Sequence, residues 1–292
     1  MLFSILIPSF KNFDYLKLTI NSIRLNSKFK HEIIVHINGI DKSAEEFLLK
    51  NKIKYTQTSK NIGLCKSVNT AHTLSTHNYI VFAHDDMYFL PNWDLFLIKE
   101  IKSLKNNKFF LSSTQISSNL SLKKTTTNHI YFDAGNKISN FKVKYLLRKF
   151  KRLKFYNLQG SHWAPHVIHK DIWNKVKGFS EEFDPGFGSD PDLNMKLWKE
   201  GVRIFKGVDK SRVYHFGSLT TRKNKKIIRN NANKTFLLKW GISINFFTVY
   251  FLRRGGEYTS PLKNFSFTFS SFCKFIICKI KLAFIILEKN FN

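Results

Sequence analysis

Residues 79–91 read YIVFAHDDMYFLP, an apolar run that ends in His84 and two adjacent carboxylates, Asp85 and Asp86. Neighbouring carboxylates repel each other unless a cation sits beside them. Hard oxygen ligands suit Mn2+ or Mg2+, ions that commonly bridge carboxylates to substrate phosphates. A solvated turn after a strand is the simpler alternative, and both readings stay open. Another carboxylate stands in residues 187–201, FGSDPDLNMKLWKEG. Pro191 suits the first helical position, which makes Asp190 the expected N-cap. Capping alone would explain Asp190, yet a carboxylate held rigidly at a helix N-terminus also has the properties of a general base. Residues 212–218 (RVYHFGS) read as a short strand ending in His215. Its imidazole is either structural or able to complete a metal site begun by Asp86.

These groups need elements to hold them. Residues 3–7 (FSILI), 32–37 (EIIVHI), 53–57 and 79–83 (YIVFA) read as strands, the first, second and fourth continuously apolar. Helical spacing follows the first strand at Leu16, Ile20 and Ile23, and helices are expected over 44–51 and 66–74. Strands that alternate with helices imply a parallel sheet covered on both faces. Ligands of such sheets bind outside the carboxyl ends of the strands. Pro8, Ser9 and Phe10, then Asn38-Gly39, then His84-Asp85-Asp86 all fall at strand ends, so three ends are expected to converge on one cleft.

With 292 residues, 43% apolar and 23% charged, the composition is that of a globular chain and excludes a disordered or collagen-like one. The net charge of +28 is unusual, and it is unevenly placed. Residues 99–158 carry 14 basic and 2 acidic groups, and residues 217–292 the same, so +24 of the +28 lies in two blocks. An AT-rich coding bias toward Lys, Asn, Phe and Ile explains the total more readily than the partition. Cys65, Cys273 and Cys278 form no CxxC pair, which argues for a reducing compartment rather than a disulfide scaffold. No basic segment with a cleavage site opens the chain, so a signal peptide is not expected.

Taken in order, these segments resemble the family 2 glycosyltransferases. The resemblance is carried by the opening ILIPSF, by EIIVHINGID, and by Asn61-Ile62-Gly63 with Asn69. It continues through the HDD element, VKGFSEEFDPGFGSDPDL and His215, covering about residues 2–218. It implies an α/β GT-A fold, a Rossmann-like, mostly parallel sheet flanked by helices. The nucleotide-binding half would occupy 1–98 and the acceptor and catalytic half 99–218, with 219–292 a basic helical C-terminal extension. By the same resemblance Pro8, Ser9, Phe10, Asn38, Asn61, Gly63 and Asp85 would line the nucleotide. Asp86 and His215 would hold Mn2+ or Mg2+ on the diphosphate of a nucleotide-sugar donor, and Asp190 would be the base of an inverting transfer. His162, Trp163 and Asp192 would lie on the acceptor side, with His166 nearby. The family's first DxD carboxylate is His84 here, its usual acidic residue before the base is Ser189, and His36 and Ile37 replace frequent acidic residues, so the donor base is not readable.

The basic blocks add a location. Val143, Leu146, Leu147, Phe150 and Leu153 form an apolar stripe in 142–154, where seven of thirteen residues are basic. That pattern fits a membrane-surface helix or an ordinary helix packed on the core. Residues 265–287 mix thirteen Phe, Ile and Leu residues with three lysines, and are expected to lie in a bilayer interface more readily than to cross it. Together with Arg253 and Arg254 they suggest an anionic membrane surface as partner and a place on the cytoplasmic face. A glycan or lipid-linked acceptor in cell-envelope polysaccharide or lipopolysaccharide synthesis would suit that placement. A nucleic-acid binder and a catalytically degenerate scaffold are the rivals. No nucleic-acid-binding motif supports the first, while His84 and Ser189 leave room for the second.

Overall fold

The computed structural model describes residues 1–118, 129–217 and 225–291. The N-terminal half alternates strand and helix: β1 (Phe3–Ser9), α1 (Phe13–Asn26), β2 (Glu32–Asn38), α2 (Lys42–Lys50), β3 (Lys54–Thr58), α3 (Leu64–His72) and β4 (Tyr79–Phe82). All four strands run parallel, in the spatial order β3-β2-β1-β4. β1 and β2 are buried along nearly their whole length, as continuous apolar runs require when helices cover both faces. Leu16, Ile20 and Ile23 of α1 are in the core, as their spacing predicts.

The second half breaks the parallel pattern. β5 (Met87–Phe89), α4 (Trp93–Ser103), β6 (Phe109–Ser117), β7 (Ile130–Tyr131), α5 (Val143–Lys149), β8 (Leu158–Gln159), β9 (His166–His169), α6 (Lys170–Lys175), α7 (Ser189–Lys199) and β10 (Ile204–His215) follow. β9 inserts antiparallel between β4 and β6, and β10 runs parallel to β6 but antiparallel to β5. The result is one mixed α/β sheet flanked by helices. β10 is longer than the strand expected at 212–215, because it starts at Ile204 and absorbs a register shift between Val208 and Arg212.

The apolar stripe of 142–154 resolves toward packing. Leu146 and Phe150 are buried in a cluster with Tyr88, Ile116, Tyr214 and Phe216, and Val143, Leu147 and Leu153 pack against it. The stripe therefore faces protein, leaving the lysines and arginines outward. α8 (Lys225–Trp240) and α9 (Phe269–Phe291) follow, separated by helical turns over Ile244–Phe246 and Phe247–Phe251. Phe236, Phe247, Leu252 and Cys278 join the main core. The opposite side of α9 is exposed, with Phe269 at 87% and Ile280 at 51%. Among the described residues no helix is long and apolar enough to cross a membrane.

Candidate active site

β1, β2 and β4 are parallel, so their carboxyl ends share one edge of the sheet, where Ser9, Asn38 and the turn His84-Asp85-Asp86 lie. β5 brings that turn to β10, since Met87 is registered opposite His215 and the Phe216 N–H donates to the Asp86 carbonyl at 3.2 Å. Thr19 of α1 braces the turn from below. Its hydroxyl donates to the Asp85 carbonyl (2.7 Å) and accepts from the Met87 N–H (3.1 Å).

Asp86 Oδ1 lies 3.1 Å from His215 Nε2. The Gln115 side-chain N–H donates to the Ala164 carbonyl, which leaves Gln115 Oε1 as the acceptor for His215 Nδ1–H at 3.1 Å. In neutral His215 the proton is thus on Nδ1, and the Nε2 lone pair faces a carboxylate oxygen. Two acceptors at that distance require a proton or a cation between them. Burial opposes the Asp86 charge, but the imidazoles of His215 and His84 outweigh it and hold the carboxyl down at about 2. Burial likewise opposes a His215 cation, and Asp86 more than offsets it, raising the imidazole's affinity for a proton. His84 stacks on His215 with ring centroids 5.6 Å apart, and burial lowers its value to about 4. One carboxylate and one oriented imidazole are a donor set that suits Mn2+ or Mg2+ once phosphate oxygens complete it. Among the described residues, no group of three His, Cys, Asp or Glu side chains converges to hold an ion unaided.

The residues expected at the nucleotide form a second cluster. The Ser9 hydroxyl donates to Asp85 Oδ2 at 2.7 Å, while burial, and then the charge of Asp86, push Asp85 up to about 7. Asn38 spends its amide on the turn that follows β3: its N–H groups reach Asn61 Oδ1 (2.8 Å) and the Gly63 carbonyl (3.1 Å), and its oxygen accepts from Ile62 N–H (2.7 Å). Pro8 and Phe10 are half-buried beside it, with the Phe10 ring against Gly39. Asp184, which no sequence signal singled out, accepts from the Cys65 N–H at 2.7 Å at the start of α3. Gly63 has φ +88°, and a Cβ there would collide with the Asp184 carboxylate.

Asp190 is not the N-cap. Gly188, at φ +82°, takes that position, Ser189 begins α7, and Asp190 and Pro191 fall in the first turn. Pro191 is tolerated there because the first backbone N–H groups of a helix have no intrahelical acceptor. Asp190 Oδ1 is enclosed without a hydrogen-bond partner among the described residues, and burial pushes the carboxyl up to about 7. Asp192 differs: it is fully buried, accepts from Ser180 Oγ (2.6 Å) and Trp240 Nε1 (2.8 Å), and pairs with Lys239 at 3.0 Å. Its carboxylate faces Trp240 and Lys239 of α8. Trp163 stacks on His129 with centroids 5.3 Å apart and meets His162 edge-on at 4.9 Å. His162 is anchored to the Gly160 carbonyl at 2.9 Å, and His166 is buried between Phe82 and Phe110.

A mixed sheet with a parallel N-terminal half and carboxylates beyond its strand ends is the GT-A architecture, and solved structures share it. Residues 4–174 match glycosyl transferase family 2, and the chain belongs to that family of glycosyltransferases. S. aureus TarS 1–349 is 16% identical with a TM-score of 0.54, over 81% of this chain and 66% of that one. The same fragment with UDP-GlcNAc aligns at 14% identity and TM-score 0.54, over 87% and 72%. GalNAc-T7, solved with UDP, GalNAc and Mn2+, is 13% identical with a TM-score of 0.61, over 86% and 50%. The chain thus spans just under two thirds of TarS 1–349 in the first alignment and half of GalNAc-T7. At such identities the likeness is one of fold. No curated protein matches the sequence significantly.

Proposed function

We propose that the chain transfers a sugar from a nucleoside diphosphate donor to a hydroxyl of a glycan or lipid-linked glycan, with inversion at the anomeric carbon. One observation carries this reading: the Asp190 carboxylate has an enclosed oxygen with no partner among the described residues and a proton affinity raised toward neutrality. Both suit a general base. The acceptor oxygen bonds to the anomeric carbon as the bond to the diphosphate oxygen breaks and its electron pair leaves with the diphosphate. Asp190 takes the acceptor's proton. Ser9 and Asp85, with the turn held by Asn38, form the donor side. Mn2+ or Mg2+ bound by Asp86 and His215 would neutralise charge on the diphosphate. TarS has been solved with UDP and UDP-GlcNAc and GalNAc-T7 with UDP, which makes a uridine nucleotide the first donor to test.

The exposed apolar face of α9 and the cationic blocks support attachment to the cytoplasmic face of an anionic membrane, where a lipid-linked acceptor of envelope polysaccharide synthesis would be met. The test is thermal stability with UDP, GDP, dTDP or CMP, each with and without Mn2+. A nucleotide at a hundredfold excess over its Kd stabilises the native state by about 2.7 kcal/mol. A metal-dependent shift with one nucleotide supports the reading and names the base. No shift with any of them in a folded sample points to a scaffold.

A further inference from the structure

α8, the helical turns at Ile244–Phe246 and Phe247–Phe251, and α9 enclose a groove of about 670 Å3. It lies in the C-terminal extension, apart from the carboxylates described above. Its apolar lining includes Leu237, Phe246, Val249, Ile277, Phe284 and Ile285. Lys234, Lys274 and Lys281 also line it, and among the described residues no acidic one does. Lys274 and Lys281 are seven residues apart on one helix, which sets them on the same face two turns from each other. An apolar channel edged by cations is complementary to a molecule with a hydrocarbon chain and a phosphate. The exposed Phe269, Phe272, Ile280 and Leu287 of the same helix provide an apolar surface beside it.

We propose that this groove binds an anionic phospholipid, with an acyl chain along Phe246, Val249 and Phe284 and the phosphate among the three lysines. A second copy of the chain is opposed by charge, because residues 217–292 carry 14 basic groups against 2 acidic ones. A nucleic acid would satisfy the lysines and leave the apolar lining wet. The inference rests on the membrane-facing part of the proposed function and not on the transferase chemistry. It adds a discrete site to what would otherwise be a diffuse interfacial contact.

The test is calorimetric titration of the full chain with dihexanoyl phosphatidylglycerol below its micelle concentration, beside dihexanoyl phosphatidylcholine and inorganic phosphate. Saturable one-to-one binding of the glycerol lipid is expected, with at least tenfold weaker binding of the choline lipid and of phosphate. Val249→Trp, which fills the groove from a residue 39% exposed, and Lys274→Glu/Lys281→Glu should each weaken it tenfold or more. Phe284→Ser, at a residue 63% exposed, guards against misfolding of the tryptophan variant and should also weaken binding. Equal binding of phosphate alone, indifference to Val249→Trp and Phe284→Ser, or burial of the groove in a dimer would overturn the proposal. Cosedimentation with phosphatidylglycerol vesicles but no uptake of the short-chain lipid would overturn the groove and leave the membrane reading standing. The nucleotide stability shift, measured on the same variants, should be unchanged. If it is missing in every variant and in the parent chain, the transferase reading fails separately.

Discussion

Asp86 Oδ1 and His215 Nε2 stand 3.1 Å apart, although they are 129 positions apart in sequence. The antiparallel pairing of β5 with β10 makes the contact, and Gln115 sets its chemistry by fixing the proton of His215 on the far nitrogen. The pair is stable only with a proton or a cation in the gap, so under the proposed function a metal and a proton would compete for it.

That competition predicts how variants respond. Asp86→Asn should abolish any Mn2+-dependent stability shift with nucleotide. Gln115→Leu, which leaves both proposed ligands in place, should weaken Mn2+ dependence about 10–100-fold. Titrating Mn2+ at fixed nucleotide checks both; an unchanged midpoint in Gln115→Leu would remove its orienting role.

Asp190→Asn should lower kcat by about 10^2–10^4 while leaving nucleotide binding intact. In the parent enzyme, kcat/KM should rise with pH through an apparent value near 7, where Asp190 loses its proton. Full transfer by the variant would sink the assignment.

The same group sets a pH dependence of stability. Its value is raised in the folded chain, so between about pH 4 and pH 7 the fold holds a proton that the unfolded chain has released. Stability from this group is therefore present below pH 4 and lost as pH rises through 7, on the order of a few kcal/mol. Denaturant titrations at pH 4.5 and 8 should show that slope in the parent chain and a flatter one in Asp190→Asn.

Asp184→Ala removes the acceptor of the Cys65 N–H at the head of α3 and should cost about 1–2 kcal/mol, as loss of an N-cap does. Gly63→Ala should cost more, because it forces a positive φ and drives Cβ into the Asp184 carboxylate. Calorimetric melting gives both. Nucleotide binding should weaken alongside, since the same turn is held by Asn38.

Asp192→Ala should destabilise the fold by about 3 kcal/mol, because it strips a buried carboxylate from Ser180, Trp240 and Lys239. Chemical denaturation would show the loss. A variant that kept its stability and lost only acceptor affinity would instead assign Asp192 to the acceptor side.

The sequence determined the parallel half of the sheet, because continuous apolar runs between helical repeats admit few other arrangements, and it marked the ends of β1, β2 and β4 as the functional edge. It also marked Asp86, His215 and Asp190 as the groups worth watching. It could not show that Gly188 displaces Asp190 from the cap, since that depends on backbone conformation before the helix. Nor could it show that Asp192 turns to α8 or that the stripe of 142–154 turns inward, because an apolar or acidic residue looks alike in sequence whether its partner is protein or solvent. β6 did carry a readable hint. Ser112, Ser113, Thr114 and Gln115 are consecutive polar residues in a fully buried strand, and such groups must find partners. Which partners they find, His215 for Gln115 and Ser211 for Ser113, follows only from strand order and register. Pairing between strands distant in the chain depends on backbone hydrogen bonds that almost any residue can make, so local side-chain pattern does not encode it; the resemblance put Asp86 with His215, and only the tertiary structure showed Gln115 turning the imidazole toward that carboxylate.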